Sequence, residues 1–407
     1  MRITTIHDSR MAPGFEVIER KGRGHPDTLS DGLAEVLSQE YSQWTRQKFG
    51  AVLHHNFDKV GLLGGRSEVA LGRGRLTSPV RVLLNGRATP ALGDEPVPVQ
   101  ELLVSRAKAF LGERLPLLDA DRDLTFLYNV SDGSSPGAID DSGAPRGARA
   151  TWFAPRDISD LRERDVLASN DTSVGCGYWP LTPTEEAVLT IERRLTESDE
   201  WRLTPWLGTD IKVMAVRSGN DLGLTLCIPQ IAGAVDDLDA YQSNLASVRD
   251  AIVVWVDELL PEVHLSLSLN TKDDVERPEL YLTAIGSSIE TGDEGLVGRG
   301  NRANGLIAMH RPYSMEGVCG KNPVYHVGKL YSLLAFDLAR RVGSAFGTRA
   351  DAWLVGQEGR RLDDPWQVLL RTEATLQEAD VRPVVEACLA TLPTLTDALI
   401  AGEVEAY

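Results

Sequence analysis

Apolar residues in this chain come in short runs that switch irregularly between two periods, so no single repeat or long hydrophobic segment can organise the fold. Leu29, Leu33, Val36, Leu37, Tyr41 and Trp44 recur at helical spacing and predict one long helix beginning near Pro26. Short strand-like runs follow at 60–63, 80–84, 124–130, 211–216 and 222–228, most of them bounded by Gly, Asn or Asp. Leu265, Leu267 and Leu269 alternate with serines as a half-buried strand requires. Helical patterns return at 185–195, 237–260, 324–342 and 381–400. Strands and helices interleave without a regular βαβ count, which favours a mixed α/β (α+β) chain over a doubly wound one. The segment 138–152, rich in Gly, Asp, Arg and Ser between 140 and 149, is expected to be an exposed loop.

Charge narrows the partners. The 407 residues hold 42 Lys+Arg against 59 Asp+Glu, a formal charge of −17, so nucleic acid is not an expected partner. The length suggests two or three folding units at roughly 150 residues each. No stretch approaches the ~18 to 20 consecutive apolar residues of a membrane span, and residues 1–10 carry His, Asp and Arg without an apolar h-region. The expectation is a cytoplasmic protein that does not enter a membrane. Cys176, Cys227, Cys319 and Cys388 lack any CxxC or zinc-type spacing and read as reduced thiols of a core.

Against that acidic background, glycine next to a cation recurs: Gly22-Arg23-Gly24-His25-Pro26-Asp27, Gly64-Gly65-Arg66, Gly298-Arg299-Gly300-Asn301-Arg302 and Gly320-Lys321-Asn322-Pro323. Glycine lets backbone N–H groups approach a ligand, and Arg or Lys neutralises phosphate oxygens. The first segment opens a helix at Pro26, where free N–H groups and the helix dipole favour an anion. Asp27 and Asp31 are four apart on one helical face, and two carboxylates beside a phosphate suggest magnesium. Other phosphate and hydrolase patterns fail. Met315 stands where a Walker loop before Gly320-Lys321 needs glycine, no dinucleotide GxGxxG follows a strand, and His54-His55 is not a metal pair by spacing. Gly133-Ser134-Ser135-Pro136-Gly137 fits GxSxG, but Pro136 and Gly137 break the helix that a nucleophile elbow needs, so a nucleotide loop is the better reading than a serine hydrolase.

Together, GRGHPDTLSD at 22–31, KFGAVLHHNFDKVGLLGGRS at 48–67, SNDTSVGCGY at 169–178, DIKVMAVR at 210–217, TGDEGLVGRGNRANGLI at 291–307 and YSMEGVCGKNPVYHVGKLY at 313–331 resemble the archaeal-type branch of methionine adenosyltransferase, also called S-adenosylmethionine synthetase. The resemblance implies one catalytic unit over 1–407, built from three similar domains of interleaved segments about a pseudo-threefold axis, and a homodimer with active sites between subunits. It implies ATP and L-methionine as substrates and magnesium as cofactor, often assisted by potassium. The thioether sulfur attacks the ribose 5′ carbon, and the departing triphosphate is then cleaved to diphosphate and phosphate. By resemblance His25 contacts the leaving oxygen or α-phosphate. Asp27 holds magnesium, with Asp31 added as a metal ligand by its spacing alone, and Lys212, Arg299 and Lys321 bind phosphate; Lys329 reads as either a helix-surface residue or a lesser phosphate candidate. Gly24, Ser131, Gly133 and Ser134 belong to the ATP loops, Asp210 lies near the nucleoside, and Asp171 and Asp293 lie near methionine. The family loop NVGxGS reads Asn129-Val130-Ser131-Asp132-Gly133-Ser134 here, and Arg66 stands where the bacterial branch has a methionine-binding glutamate. A nucleotide-binding homologue without synthesis is the alternative, and intact His25, Asp27, Lys212, Arg299 and Lys321 argue against it.

Overall fold

A computed structural model describes residues 1–11, 14–133, 151–161, 167–277 and 279–407. Among the described residues the fold is mixed α/β, carried by three sheets of four, five and five strands. Sheet I runs Arg2–His7, Gln367–Thr372, Ala350–Val355, Val174–Trp179. Sheet II runs His264–Leu269, Asp221–Cys227, Lys212–Ser218, Glu16–Lys21, Ile307–Ala308. Sheet III runs Leu124–Ser131, Val80–Ala88, Gly61–Leu63, Gly295–Leu296, with His55–Asn56 also on Val80–Ala88. Each draws strands from distant parts of the chain, and each has its own hydrophobic core.

The cores form because helices cover one face of each sheet. In sheet III the long helix Pro26–Phe49 buries Leu29, Leu33, Leu37 and Tyr41 against Val82, Leu84 and the helix Val99–Arg114. Its start is set by Pro26 in the first turn and by His25, whose Nδ1 accepts from Asp27 N–H at 3.1 Å. Its end is set by Gly50 at φ 73°, whose N–H reaches the Arg46 carbonyl. Sheet II carries Pro183–Glu197 and Leu238–Leu259, and sheet I carries Val327–Phe346 and Glu378–Leu389. The 381–400 pattern, expected as one helix, is two, Glu378–Leu389 and Leu392–Ala401. By length and composition alone, with a mean hydropathy of 1.5, Glu378–Ala401 is long and apolar enough to cross a membrane, although Asp380, Arg382, Glu386 and Asp397 interrupt any apolar run. The break at Ala390–Thr391 lets Val381, Val385, Leu389 and Leu399 close the core of sheet I instead.

Strand Glu16–Lys21 escaped the hydropathy reading because it is central yet charged. Arg20 donates to Glu192 at 2.6 Å and to the Gly305 carbonyl at 2.6 Å, and Glu16 accepts from Thr182 at 2.7 Å, all of them buried. Paired charges can occupy positions that isolated ones cannot.

Candidate active site

Gly22 and Gly24 bring the site together. Their N–H groups donate to Ile211 O at 2.7 Å and Thr209 O at 2.9 Å, and a Cβ at either would lie within 2.4 Å of an Ile211 or Thr209 oxygen. Only glycine lets the chain pass here. Gly24, expected in an ATP loop, is thus spent on packing the helix start against Thr209–Ile211. That contact places His25 beside Asp210 and Lys212 in an open cavity of ≈ 650 Å³, whose far wall is Asn270–Asp273, Tyr281 and Asp293. The exposed thiol of Cys227, expected in a core, lines it too.

His25 is poised as a hydrogen-bond donor. Its Nδ1 accepts from Asp27 N–H, so in the neutral ring the proton sits on Nε2. Burial lowers its pKa, against the pull of Asp210 and Asp27, and the ring is neutral near pH 7. Asp210 is fully buried, which raises its pKa, and it accepts from Ser288 N–H at 2.8 Å and from the Ser288 hydroxyl. Lys212 pairs with Glu19 at 3.0 Å.

The two acids of the helix start have different tasks. Asp27 Oδ1 accepts from Leu296 N–H at 3.1 Å, and Oδ2 takes the Lys21 ammonium at 2.8 Å. A cation already stands on this carboxylate, which fits the hard, partly hydrated coordination of magnesium with phosphate supplying the other oxygens. Asp31 does not fit a metal. It is 2% exposed, and its oxygens accept from Gly298 N–H at 2.7 Å and Gly300 N–H at 3.1 Å. A Cβ on Gly300 would lie 2.2 Å from Asp31 Oδ2. Burial pushes the Asp31 carboxyl up to about 7 against those N–H donors. Its work is to shape the turn that presents Arg299, whose own side chain is exposed.

The remaining expected residues gather elsewhere. Lys321 lies next to Asp58 and Glu316, its backbone bridged to Asn56. Burial pushes its pKa down to about 8, with Asp58 and Asp171 pulling it back. A second cavity of ≈ 440 Å³ opens here between Asn56, Lys59, Asn85, Arg87, Asn170 and His326. Ser131 pairs in register with Arg87 on its rim, and Gly133 follows in the same exposed loop, its N–H 3.3 Å from Ser131 Oγ. Asp171 adjoins Asn170 and has its Oδ1 on Thr172 N–H at 2.7 Å. Ser134, the GxSxG serine Ser135 and the 140–149 run lie outside the described residues. Lys329, expected to touch phosphate, is buried with both Glu35 oxygens at 2.7 Å, so its charge is already consumed. Glu35 also accepts from Gly320 N–H at 3.0 Å, bracing the turn ahead of Lys321. His54 and His55 are both buried: His54 faces the Tyr325 hydroxyl at 2.7 Å and His55 the Ser38 hydroxyl at 2.8 Å. Among the described residues no three His, Cys, Asp or Glu side chains cluster as a metal cage.

Sequence reasoning passed over Lys21 and Glu35. Both are charges whose meaning lies in partners more than 200 residues away, Arg299 O and Lys329, and spacing carries no sign of that.

The scaffold is thus mixed α/β, with glycine turns, a lysine and a histidine around an open cleft. The chain matches the family described as S-adenosylmethionine synthetase (AdoMet synthetase) over residues 2–139 and 153–403. It is 36% identical to the S-adenosylmethionine synthase of Haloarcula marismortui over 401 residues, covering 97% of this chain and 95% of that protein. Identity to the Methanosarcina barkeri S-adenosylmethionine synthase is 34% over 402 residues, with 97% and 95% covered. An S-adenosylmethionine synthetase structure from Campylobacter jejuni aligns with TM-score 0.53 at 12% identity, covering 94% of this chain and 88% of that one, and supports the fold. The chain belongs to the S-adenosylmethionine synthetase family.

Proposed function

We infer that this protein is a methionine adenosyltransferase that joins ATP and L-methionine into S-adenosylmethionine and cleaves the triphosphate to diphosphate and phosphate. The observation that carries the reading is His25: neutral, its Nδ1 tied to Asp27 N–H, its Nε2–H free to donate into the cleft beside Lys212. A thioether sulfur is a nucleophile without a base, so the barrier lies in alignment and in the charge that develops on the departing phosphate. His25 meets that charge at the bridging oxygen, Lys212 and Arg299 at the phosphates, and Asp210 and Asp293 hold the organic parts. Magnesium, when bound, neutralises the triphosphate, and Asp27 is the carboxylate that fits it.

The site is completed by a second copy. Lys321, Ser131 and Asp171 neighbour Asp58, Arg87 and Asn170, which line a separate cavity on the same chain, and a twofold dimer that faces one cavity with the other unites them. The surface suits this. Leu127, Leu83, Gly61 and Leu296 form one row across the uncovered face of sheet III, with Leu127 45% and Leu296 44% exposed, an apolar stripe of the kind self-complementary dimers bury. The three sheet-and-helix units are read as similar domains about a pseudo-threefold axis, in a cytoplasmic enzyme. Incubation with ATP, magnesium and methionine tests the reading: S-adenosylmethionine by mass, with diphosphate and phosphate, is expected. ATP binding without turnover would instead mark a non-synthesising homologue.

A further inference from the structure

Lys21 has no role in the chemistry described so far, yet its position is fixed from several sides. Its N–H donates to Asn301 Oδ1 at 3.0 Å, and Asn301 Nδ2 donates to its carbonyl at 2.8 Å, so one side-chain amide fills both places a neighbouring strand would fill. Thr28 Oγ1 donates to the same carbonyl at 3.0 Å. Residue 21 is thereby tied both to the turn that carries Arg299 and to the first turn of the helix that carries Asp27. In the antiparallel pairing of sheet II its register partner is Lys212, so the two ammonium-bearing side chains leave the same face of the sheet side by side.

Two like charges are costly neighbours unless anions lie between them. In the free protein each has its own: Lys212 has Glu19 at 3.0 Å, and Lys21 has Asp27 Oδ2 at 2.8 Å and the Arg299 carbonyl at 2.7 Å. An ammonium has three N–H donors, and these two acceptors use two of them. Asp27 is also the carboxylate suited to the nucleotide's divalent ion, and a cation that takes Asp27 displaces the ammonium from it. In a chain of net charge −17, a polyanionic substrate must be held by such local cations.

We propose that Lys21 is a further triphosphate-binding residue of this site: parked on Asp27 and the Arg299 carbonyl in the free protein, its ammonium turns to phosphate oxygens when Asp27 takes up magnesium. The proposal rests on the methionine adenosyltransferase reading. Lys21 and Lys212 then grip the phosphate chain as a pair from one sheet face, while Asn301 keeps the Lys21 backbone still, so that only the side chain moves.

The test is calorimetric titration of inorganic tripolyphosphate, in the presence of magnesium, into the full-length parent, Lys21→Met and Lys21→Arg. Removing a charge-assisted hydrogen bond to the phosphates should weaken binding about tenfold or more in Lys21→Met, with Lys21→Arg within about threefold of the parent. If Lys21→Met does not fold, Lys21→Gln, which still donates to Asp27, replaces it with the same expected loss. Parental affinity in the neutral variant would show that Lys21 only partners Asp27, and would overturn the proposal alone. A parent protein that does not bind tripolyphosphate would overturn the functional reading and the role of Lys21 together.

Discussion

At the scale of single residues, the proposed chemistry depends on which groups are charged when substrate arrives. Burial lowers the pKa of His25, and in the proposed reaction it donates Nε2–H as charge builds on the leaving oxygen. His25→Ala should lower kcat by about 10²-fold while moving KM for ATP far less; steady-state kinetics with varied ATP decides, and a loss confined to KM would make His25 a ground-state contact. Lys321 behaves oppositely. Burial brings its pKa down to about 8, so the cation is present below that pH and lost as pH rises through it. The kcat/KM for ATP, which reports the free enzyme, should therefore fall above pH about 8, and Lys321→Arg should remove the fall. His25, Arg299 and Lys321 stand out in the sequence because glycine beside a cation is a local pattern. Asp31 and Lys329 were misjudged: spacing placed Asp31 on the same face as Asp27 but could not reveal that Gly298 and Gly300 N–H groups take its oxygens.

At the scale of elements, the helix Pro26–Phe49 is a spine with work on two faces. One side packs the core of sheet III; the other holds Asp27, Asp31 and Glu35 against turns from the C-terminal half of the chain. The Glu35–Lys329 pair joins it to the helix Val327–Phe346 with both side chains 1% exposed. Lys329→Met strands a buried carboxylate and should cost about 3 to 5 kcal/mol in urea unfolding, whereas the double change Glu35→Gln with Lys329→Met should recover most of it. An unchanged midpoint in the single variant would mean that the pair is solvated and that Lys329 is available to phosphate after all. The helices at 185–195, 237–260 and 324–342 were foreseen to within a few residues of Pro183–Glu197, Leu238–Leu259 and Val327–Phe346 because each has one apolar stripe. Strand Glu16–Lys21 and the edge strand Arg2–His7 gave no such signal: the first carries a buried Arg20–Glu192 ion pair and a buried Glu16, and the second alternates weakly, with Ile6 45% exposed.

At the scale of the molecule, the distribution of site residues is itself the argument for a dimer. His25, Asp210, Lys212 and Asp293 line one cavity, while Lys321 and Asp171 lie beside Asn56, Asp58 and Asn170, which line another on the same chain. The resemblance implied active sites between subunits, but a linear pattern alone does not say which copy of the chain each residue would serve. The measurement that tests this most directly is activity of a mixed dimer made by co-expressing His25→Ala and Lys321→Ala chains. Each variant alone has two damaged sites, but a mixed twofold dimer has one site damaged twice and one intact. With random pairing, half the dimers are mixed, and S-adenosylmethionine formation should return to about a quarter of the parental rate. Activity no higher than that of the separate variants, in dimers shown to be mixed, would contradict an active site shared between subunits.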